Sequence, residues 1–295
     1  MGIPRRFTGW AGRVVLDRQV SQEVSSVLQF RFAAQSETGR VRDNNEDAGF
    51  ASPYLHCIAD GVGGAAAGEV ASATTTYVVN ARVLAHPGME PARLLRAAAQ
   101  EAHDQLVAGV AADAGRLGMA TTLTAILTDG ERTALAHIGD SRAYLLRDGV
   151  LAQVSRDHTM VQALVDTGRL TPEEAALSPY KNVVLQAVDA EHTPEPDLIW
   201  LDLRPGDRLL LCSDGVSDVL RPTAIRTLLG AESRSMAVDR LLRAALDGGS
   251  RDNVTAVLAD VVDEPAVAGN GMLLGAAVDL ANVVDPVAVR PLRTA

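Results

Sequence analysis

Two stretches of the sequence place an Asp-Gly pair directly after an apolar run. Asp60 ends the run in "YLHCIADG", and Asp214 ends the run in "LLLCSDG". Apolar runs of this length are typical of buried strands, and a carboxylate there is costly to desolvate unless a charge offsets it. "HIGDSR" and "GSRDN" add Asp140 and Asp252, again beside small residues. These four acids are therefore the first candidates for a chemical site.

Three interpretations compete for "CIADGVGG". The first is a turn, because Asp-Gly is a common turn dipeptide. We expect that interpretation to hold for Asp129-Gly130 and Asp148-Gly149, which separate short apolar runs. For an isolated Asp-Gly it would also be the better choice at Asp60.

The second interpretation is a dinucleotide-binding loop. Gly61, Gly63 and Ala66 satisfy a relaxed GxGxxA pattern. However, Asp60 would direct a negative charge at the pyrophosphate, and no acid for the ribose follows about 20 residues later. An oxidoreductase is therefore a weak alternative.

The third interpretation is a site for hard cations. Mg²⁺ and Mn²⁺ take oxygen ligands from carboxylates, backbone carbonyls and water. A glycine after the ligand acid lets the backbone approach the same ion, and divalent cations remove the repulsion between crowded carboxylates. This interpretation also explains why the Asp-Gly pattern occurs twice.

The spacing of apolar residues along the chain predicts the strands and helices that must position these acids. The patterns predict strands at 28–36, 54–60, 197–203, 207–214 and 253–262, and a meander of short antiparallel strands over 120–155. They predict helices at 67–84, 92–112, 222–230 and 235–247, and a polar helical excursion over 156–182. Helix pairs between blocks of antiparallel strands favour a layered α+β domain. In such a domain the four acids can converge on one sheet edge.

Composition sets limits on function. The 295 residues are 47% hydrophobic and carry a net charge of −10, which argues against a general nucleic-acid binder. Cys57 and Cys212 lie in strand-like runs, which predicts two buried, reduced thiols. No segment reads as membrane-spanning or secretory, so we expect no membrane partner and a cytoplasmic location.

The domain division follows from where the periodic pattern begins and ends. We expect an N-terminal extension over 1–27, a single domain over 28–263, and a C-terminal tail over 264–295 that is flexible and outside the core. The tail carries three prolines and many small residues.

Seven motifs in order resemble the metal-dependent (type 2C) protein serine/threonine phosphatases, in their bacterial form. They are "TGRVRDNNEDAGF" (38–50), "ADGVGGAAAGEVAS" (59–72), "MATTLTAIL" (119–127), "HIGDSRAYLLRDG" (137–149), "DHTMVQALVDTGRLTPEEA" (157–175), "LLLCSDGVSD" (209–218) and "GSRDNVTAVL" (249–258). The resemblance covers about 28–262. It implies a four-layer α+β sandwich of two antiparallel sheets, flanked by helices on both outer faces.

The resemblance also implies a metal centre with Mn²⁺ or Mg²⁺. Asp60 resembles the acid that bridges two core ions, with the Gly61 carbonyl as a further ligand. Asp214 and Asp252 resemble the remaining carboxylates of that centre. Asp140 resembles the acid that, with Asp214, holds a third, weaker ion in bacterial members.

Further site residues come from the motif "RDNNED". Arg42 matches the arginine that grips the substrate phosphate, and its planar guanidinium suits two phosphate oxygens. Glu46 and Asp47 match the acidic pair of the family, with Asp47 expected near the metals, directly or through water. Arg42, Asp60 and Asp214 are the residues expected to carry catalysis.

The activity implied by the resemblance is hydrolysis of phosphoserine and phosphothreonine in proteins. A water or hydroxide that bridges the two metals attacks phosphorus in line, without a phosphoenzyme. Val62 stands where some members have a histidine, so a metal-bound water is expected to protonate the leaving group. The implied partners are phosphoproteins, including a cognate serine/threonine kinase and its substrates, and a monomer is expected.

One other interpretation remains beside this one and the oxidoreductase. A pseudophosphatase, acting as a regulatory binding module on the same scaffold, would be favoured by loss of a core acid, and none is lost. His158 lies in the motif that begins "DHT", and Ser141 and Ser213 adjoin the acids Asp140 and Asp214. However, a lone histidine is more often a structural hydrogen-bonder, and neither serine has a paired base in sequence.

Overall fold

Two antiparallel sheets pack face to face and carry helices on both outer faces. The computed structural model describes residues 26–62, 67–231, 233–267 and 271–288. The strands are β1 (Ser26–Glu37), β2 (Asp47–Ala51), β3 (Leu55–Val62), β4 (Ala120–Thr121), β5 (Leu123–Thr128), β6 (Thr133–Ile138), β7 (Arg142–Arg147), β8 (Val150–Gln153), β9 (Val188–Asp189), β10 (Asp197–Leu201), β11 (Arg208–Cys212), β12 (Val254–Pro265) and β13 (Met272–Gly275). The helices are α1 (Gly68–Ala85), α2 (Pro91–Ala112), α3 (Met160–Asp166), α4 (Pro172–Ala176), α5 (Asp214–Ser217), α6 (Pro222–Leu229) and α7 (Arg234–Asp247).

The strand order separates the chain into two sheets. The smaller sheet runs β1-β12-β11-β7-β8, and the larger runs β10-β6-β5-β3-β2-β13, with β4 and β9 added beside the end of β3. Every pairing between these strands is antiparallel. The α+β sandwich predicted from the sequence is confirmed.

Apolar side chains fill three layers. Ile58 and Ile126 of the larger sheet pack against Leu209 and Val257 of the smaller one, in the space between the sheets. Helices α1 and α2 cover the outer face of the larger sheet, and α6 and α7 cover that of the smaller one. Helix α2 buries one face, which includes Leu95, Ala98, Ala102, Leu106 and Gly109.

The two Asp-Gly pairs expected to be turns are turns. Gly130 has a φ of +96°, and Asp148 and Gly149 have φ values of +51° and +75°. Asp148-Gly149 is the two-residue connection between β7 and β8, where both central residues need positive φ to match the strand twist. These acids lie at hairpin tips and contribute nothing to the site.

The polar excursion forms a flap, defined here as residues 156–185. It contains α3 and α4, and α4 begins with a capping box formed by Thr171 and Glu174. A bridge between Thr159 and Val184 and a hydrogen bond from the Leu185 N–H to the His158 carbonyl (2.8 Å) close the base of the flap. The flap is thereby fixed to the sandwich at both of its ends.

The prediction that residues 264–295 lie outside the core is wrong for the residues of this segment that the structure describes. Strand β13 pairs with β2, and Ala277 and Val283 are buried against Ala48. The physical reason is that β2 is buried along its whole length. Without β13 its edge would expose backbone groups and apolar side chains to water.

The structure describes only part of the predicted N-terminal extension and C-terminal tail. Residues 1–25, 268–270 and 289–295 lie outside the described residues. Of the N-terminal extension, Ser26 and Val27 begin β1. Among the described helices, none has the length and apolarity needed to cross a bilayer.

Candidate metal centre

Asp60 lies near the end of β3, at a sheet edge where several polar loops meet. Its backbone is held on one side by β2, where Asp47 is its register partner. On the other side, Asp60 N–H donates to the Thr122 hydroxyl, and Thr121 Oγ1 and Thr122 N–H both donate to the Asp60 carbonyl, each at 2.9 Å. The segment "ATT" thus fixes the strand end that presents the carboxylate.

The glycines that follow Asp60 and Asp214 are required for close backbone packing. A side chain at Gly61 would overlap the Gly68 carbonyl oxygen and lie 2.7 Å from that of Glu46. At Gly215 it would overlap the carbonyl oxygen of Asn253. Neither glycine has a positive φ among the described residues, so the requirement is space and not conformation. These two Asp-Gly pairs therefore differ in kind from the hairpin turns.

Asp214 and Asp252 reach the same edge from the smaller sheet. Asp214 is the first residue of α5, directly after β11, and Asp252 lies in the loop before β12. The pKa of Asp214 is raised well above its ordinary value by burial and by the charges of Asp140, Asp218, Asp252 and Asp47. The carboxylates thus share one electrostatic environment, as the sequence predicts.

Asp60 experiences the same electrostatic repulsion as Asp214. Burial raises its pKa well above the ordinary value, and the charges of Asp47, Asp214, Asp140 and Asp252 raise it further. Such a cluster of like charges in a low-dielectric region is unfavourable without a cation.

Asp47 is buried and hydrogen-bonded to the protein. The Ser213 hydroxyl donates to its Oδ2 at 2.7 Å, and the Ser213 oxygen also accepts the Thr255 N–H at 3.0 Å. Burial raises the pKa of Asp47 to about 6, while hydrogen bonds from Thr255 and Ser213 counteract part of that rise. Ser213 therefore orients an acid and has no base to make it a nucleophile.

Asp140 lies in the turn between β6 and β7. Its neighbour Gly139 has a φ of +102° and is packed against the side chain of Thr122. His158 fixes this turn from the flap base: its N–H donates to the Gly139 carbonyl (2.7 Å), and its Nδ1 accepts the Gly139 N–H (3.3 Å). His158 is thus a structural hydrogen-bonder in this geometry.

Burial raises the pKa of Asp140 to about 6, and the charges of Asp157 and Asp218 add to that rise. Asp157 itself is bound by Arg142 through contacts of 2.6 to 3.1 Å. The turn that carries Asp140 is therefore tied to the flap base by an ion pair as well as by His158.

Arg42 extends over the edge from the loop between β1 and β2. Its Nη2 donates to Asp252 Oδ2 at 2.8 Å, and both side chains remain partly exposed. That hydrogen bond raises the pKa of Arg42 most, burial opposes it, and the charges of Asp252, Glu46 and Asp60 add to the rise. A guanidinium beside the acid cluster is suitably placed for an anionic substrate.

Asn253 is a site residue that the sequence reasoning missed. Its Nδ2 donates to the carbonyls of Thr38 (2.8 Å) and Asn44 (2.9 Å), and its Oδ1 accepts the Glu46 N–H (2.8 Å). It therefore fixes the loop of Arg42 to the strand that follows Asp252. The sequence signal was its position directly after Asp252 in "RDN".

The donor set suits a hard divalent cation. The groups that, beside burial, raise the pKa of Asp60 and Asp214 most are carboxylates, which are hard oxygen donors. Across the described residues, no three His, Cys, Asp or Glu side chains are arranged to hold one ion by themselves. An ion here would therefore take some of its ligands from carbonyls or water, as Mg²⁺ and Mn²⁺ commonly do.

Comparison with known proteins gives consistent matches. The protein phosphatase 2C family model matches residues 40–261. The chain is 46% identical over 253 residues to the serine/threonine protein phosphatase PstP of Mycobacterium tuberculosis, a match that covers 82% of this chain and 48% of PstP. The chain thus spans about half the length of that relative. The serine/threonine phosphatase stp of Listeria monocytogenes is 32% identical over 241 residues, covering 77% of this chain and 94% of that protein.

Solved structures show the same fold. The catalytic domain of PstP in complex with two manganese ions is 45% identical, has a TM-score of 0.75, and is matched over 100% of its length and 80% of this chain. Stp1 from Staphylococcus aureus is 34% identical with a TM-score of 0.73, covering 78% of this chain and 94% of that chain.

Proposed function

The chain belongs to the protein phosphatase 2C family, and on that premise we propose that it is a metal-dependent protein serine/threonine phosphatase. The observation that carries the proposal is the cluster of partly buried, mutually repelling carboxylates with an arginine directly beside it. An acid cluster of hard oxygen donors favours divalent cations, and the arginine favours a phosphorylated substrate.

The proposed cofactors are two core Mn²⁺ or Mg²⁺ ions with a third, weaker one. Asp60, the Gly61 carbonyl, Asp214 and Asp252 would hold the core ions, and Asp140 would hold the third together with Asp214. Asp47 would act near the core ions, oriented by Ser213. When bound, such ions lower the pKa of water for attack on phosphorus and offset charge on the phosphoryl oxygens.

The residues of the chain then bind and orient the substrate. We assign Arg42 to the phosphoryl group, where two N–H donors of the guanidinium can bind two oxygens. Asp252 holds this side chain over the acid cluster, and Asn253 fixes the loop from which it extends. The geometry thus keeps the guanidinium at the site before the substrate arrives, which lowers the cost of ordering it.

We extend the proposal to partners and location. Phosphoserine and phosphothreonine proteins are the proposed substrates, among them a kinase and its targets, and the phosphatase domain is proposed to act as a monomer. A cytoplasmic location is supported by Cys57 and Cys212, which are both unpaired and buried.

The test is Mn²⁺-dependent hydrolysis of a phosphothreonine peptide by wild type and Asp214→Asn. We expect turnover by wild type that excess chelator abolishes, and a loss of at least about 100-fold in kcat for the variant, as for removal of a principal electrostatic group. Asp104→Asn removes an exposed carboxylate on α2 and serves as the matched control.

Two outcomes would contradict the proposal. Turnover that persists in excess chelator would exclude the metal-dependent reaction. Wild-type protein that binds Mn²⁺ and a phosphopeptide without turnover would instead favour the regulatory binding module. Circular dichroism of each variant separates loss of activity from loss of fold.

A further inference from the structure

A cleft of about 270 Å³ opens beside the acid cluster, between the flap and the loop before β12. Lys181 and Asn182 line the cleft on the flap side. The loop before β12 lines the other side with Gly249, Ser250, Arg251 and Asp252. Between them lie Asp214, Gly215, Asp218 and Val219. Because Asp214 and Asp252 belong to both the cleft and the proposed metal centre, a group bound in the cleft lies next to the reacting phosphate.

Of the basic side chains around the cleft, Arg251 is not paired with an acid in the described part of the chain. Lys181 is paired with Asp218 at 2.6 Å, and Arg42 is paired with Asp252 at 2.8 Å. Arg251 lines the same cleft, is exposed, and has no hydrogen-bond or ion-pair partner within the described part of the chain. Its guanidinium is therefore available to a ligand.

The acids of the cleft do not cancel that charge. Asp218 is neutralised by Lys181. Asp252 is paired with Arg42 in the free site, and the proposed core ions neutralise it when Arg42 turns to the phosphoryl group. Asp214 is one of the residues proposed to hold cations, and it is neutralised when they bind. Arg251 is then the charged side chain of the cleft that is not neutralised, so the cleft favours an anionic ligand.

A neutral polar group also lines the cleft. The amide of Asn182, on the wall opposite Arg251, can donate to a carboxylate. Ser250 is 5% exposed and its hydroxyl oxygen is inaccessible to solvent, so it takes no part in this recognition.

We infer that this cleft is a specificity site that receives a carboxylate side chain, Asp or Glu, next to the phosphorylated residue of the substrate, and that Arg251 selects it. The inference rests on the proposed function and goes beyond it by naming a preferred sequence context. A guanidinium binds a carboxylate with two parallel hydrogen bonds, which gives direction as well as charge.

The test compares two sets of phosphothreonine peptides that differ only in the residues flanking the phosphothreonine. One set carries Asp at the adjacent positions on either side, and the other carries Asn. The readout is the ratio of kcat/KM for the Asp peptide over the Asn peptide with Mn²⁺ present. We expect a ratio of about 5 for wild type, which corresponds to about 1 kcal/mol of partly exposed ion pairing.

Arg251→Gln is expected to bring that ratio to about 1. Arg96→Gln removes the same charge from the exposed face of α2 and is expected to keep the wild-type ratio. Because the ratio is internal to each variant, a variant with lower overall turnover still reports on selectivity.

Three results distinguish failure of the inference from failure of the proposed function. If wild type hydrolyses p-nitrophenyl phosphate and both peptide sets with a ratio near 1, the inference is wrong and the proposed function stands. An Arg251→Gln ratio equal to that of wild type likewise overturns it. If wild type hydrolyses none of these substrates with Mn²⁺, both the proposed function and the inference fail.

Discussion

Arg42 and Arg40 are two positions apart and have different surroundings. Arg42 donates to Asp252 beside the acid cluster, whereas Arg40 binds Asp247 and the Leu246 carbonyl at the end of α7. Both arginines are exposed and both have an acidic partner. Their difference in location, and not in charge, is what the proposed phosphate-binding role depends on.

Arg42→Ala is expected to lower kcat/KM for a phosphothreonine peptide by about 100-fold or more, because a charge-assisted contact to the phosphoryl group is lost. Arg40→Ala is the matched control and should change kcat/KM by less than about threefold, since its surface ion pair is of small value. Steady-state kinetics with Mn²⁺ measures both. Equal losses in the two variants would contradict the role assigned to Arg42.

Glycines after aspartate serve two purposes in this chain. Gly149 needs its positive φ and has open space where a side chain would be, whereas Gly215 has no room because the Asn253 carbonyl occupies that space. The first requirement concerns backbone conformation and the second concerns packing.

Gly215→Ala is therefore expected to lower the free energy of unfolding by about 3 kcal/mol or more, since backbone on both sides must move. Gly149→Ala is expected to cost about 1 to 2 kcal/mol, the penalty of a left-handed alanine. Urea denaturation of both variants measures which of them loses more free energy of unfolding. A larger loss for Gly149→Ala would contradict the packing argument.

The acids and Arg42 were predictable from sequence because their types and motif order carry the signal. Asn253, Thr122 and Ser213 were not assigned because short polar residues beside acids are common and their partners are distant in sequence. Asn253, for example, binds the backbone of Thr38 and Asn44. Only the tertiary structure brings those segments together.

At the scale of elements, the helices and most strands matched their patterns closely. Helix α7 was predicted over 235–247 and spans Arg234–Asp247, and α2 was predicted over 92–112 and spans Pro91–Ala112. Strand β13 was missed because four residues are too few for a reliable period. Its partner β2 lies more than two hundred residues earlier in the chain.

Strand β13 offers a direct test of its contribution to the core. Leu274 is 6% exposed and packs between the sheets, whereas Met272 on the same strand is 42% exposed. Leu274→Ala is expected to lower the free energy of unfolding by about 2 to 4 kcal/mol through lost burial and a residual cavity.

Met272→Ala is the matched control and should lower stability by less than about 1 kcal/mol, as surface substitutions usually do. Chemical denaturation measures both variants. Equal small effects would mean that β13 is not integral to the sandwich in solution.

At the scale of the whole molecule, two buried histidines link stability to pH. His56 lies against the rings of Phe30 and Phe32, and burial lowers its pKa to about 3. Burial and the charge of His158 lower the pKa of His137 to about 4. Both remain neutral in the folded protein at pH values where the unfolded chain binds protons.

That difference in protonation sets the direction in which pH changes the free energy of unfolding. Below pH 6.5 the unfolded state binds more protons, so stability is present above that pH and is lost as the pH falls toward the folded pKa values. His56→Gln is expected to make the loss of unfolding free energy between pH 6 and 5 shallower by about 1 kcal/mol per pH unit, close to the limit for one proton.

His192 is a control of opposite sign, because the hydrogen bond that its Nδ1–H donates to the Asp189 carboxylate raises the pKa of His192. His192 contributes stability at low pH that is lost as the pH rises through its folded pKa, so His192→Gln should not make the acid loss shallower. Urea titrations at several pH values measure these slopes. An unchanged slope in His56→Gln would contradict the buried neutral state.

The long pairing of β1 with β12 has a consequence for how the protein is made. This pairing joins residue 26 to residue 265 and runs through the whole of β1. During synthesis, Arg42 and Asp60 leave the ribosome about 200 residues before Asp252 and the strand that completes the smaller sheet. Contacts between such distant segments form slowly, since a long loop must close first. A nascent chain therefore carries Asp60 without Asp252 until β12 has been made, and the proposed metal centre can assemble only after that point.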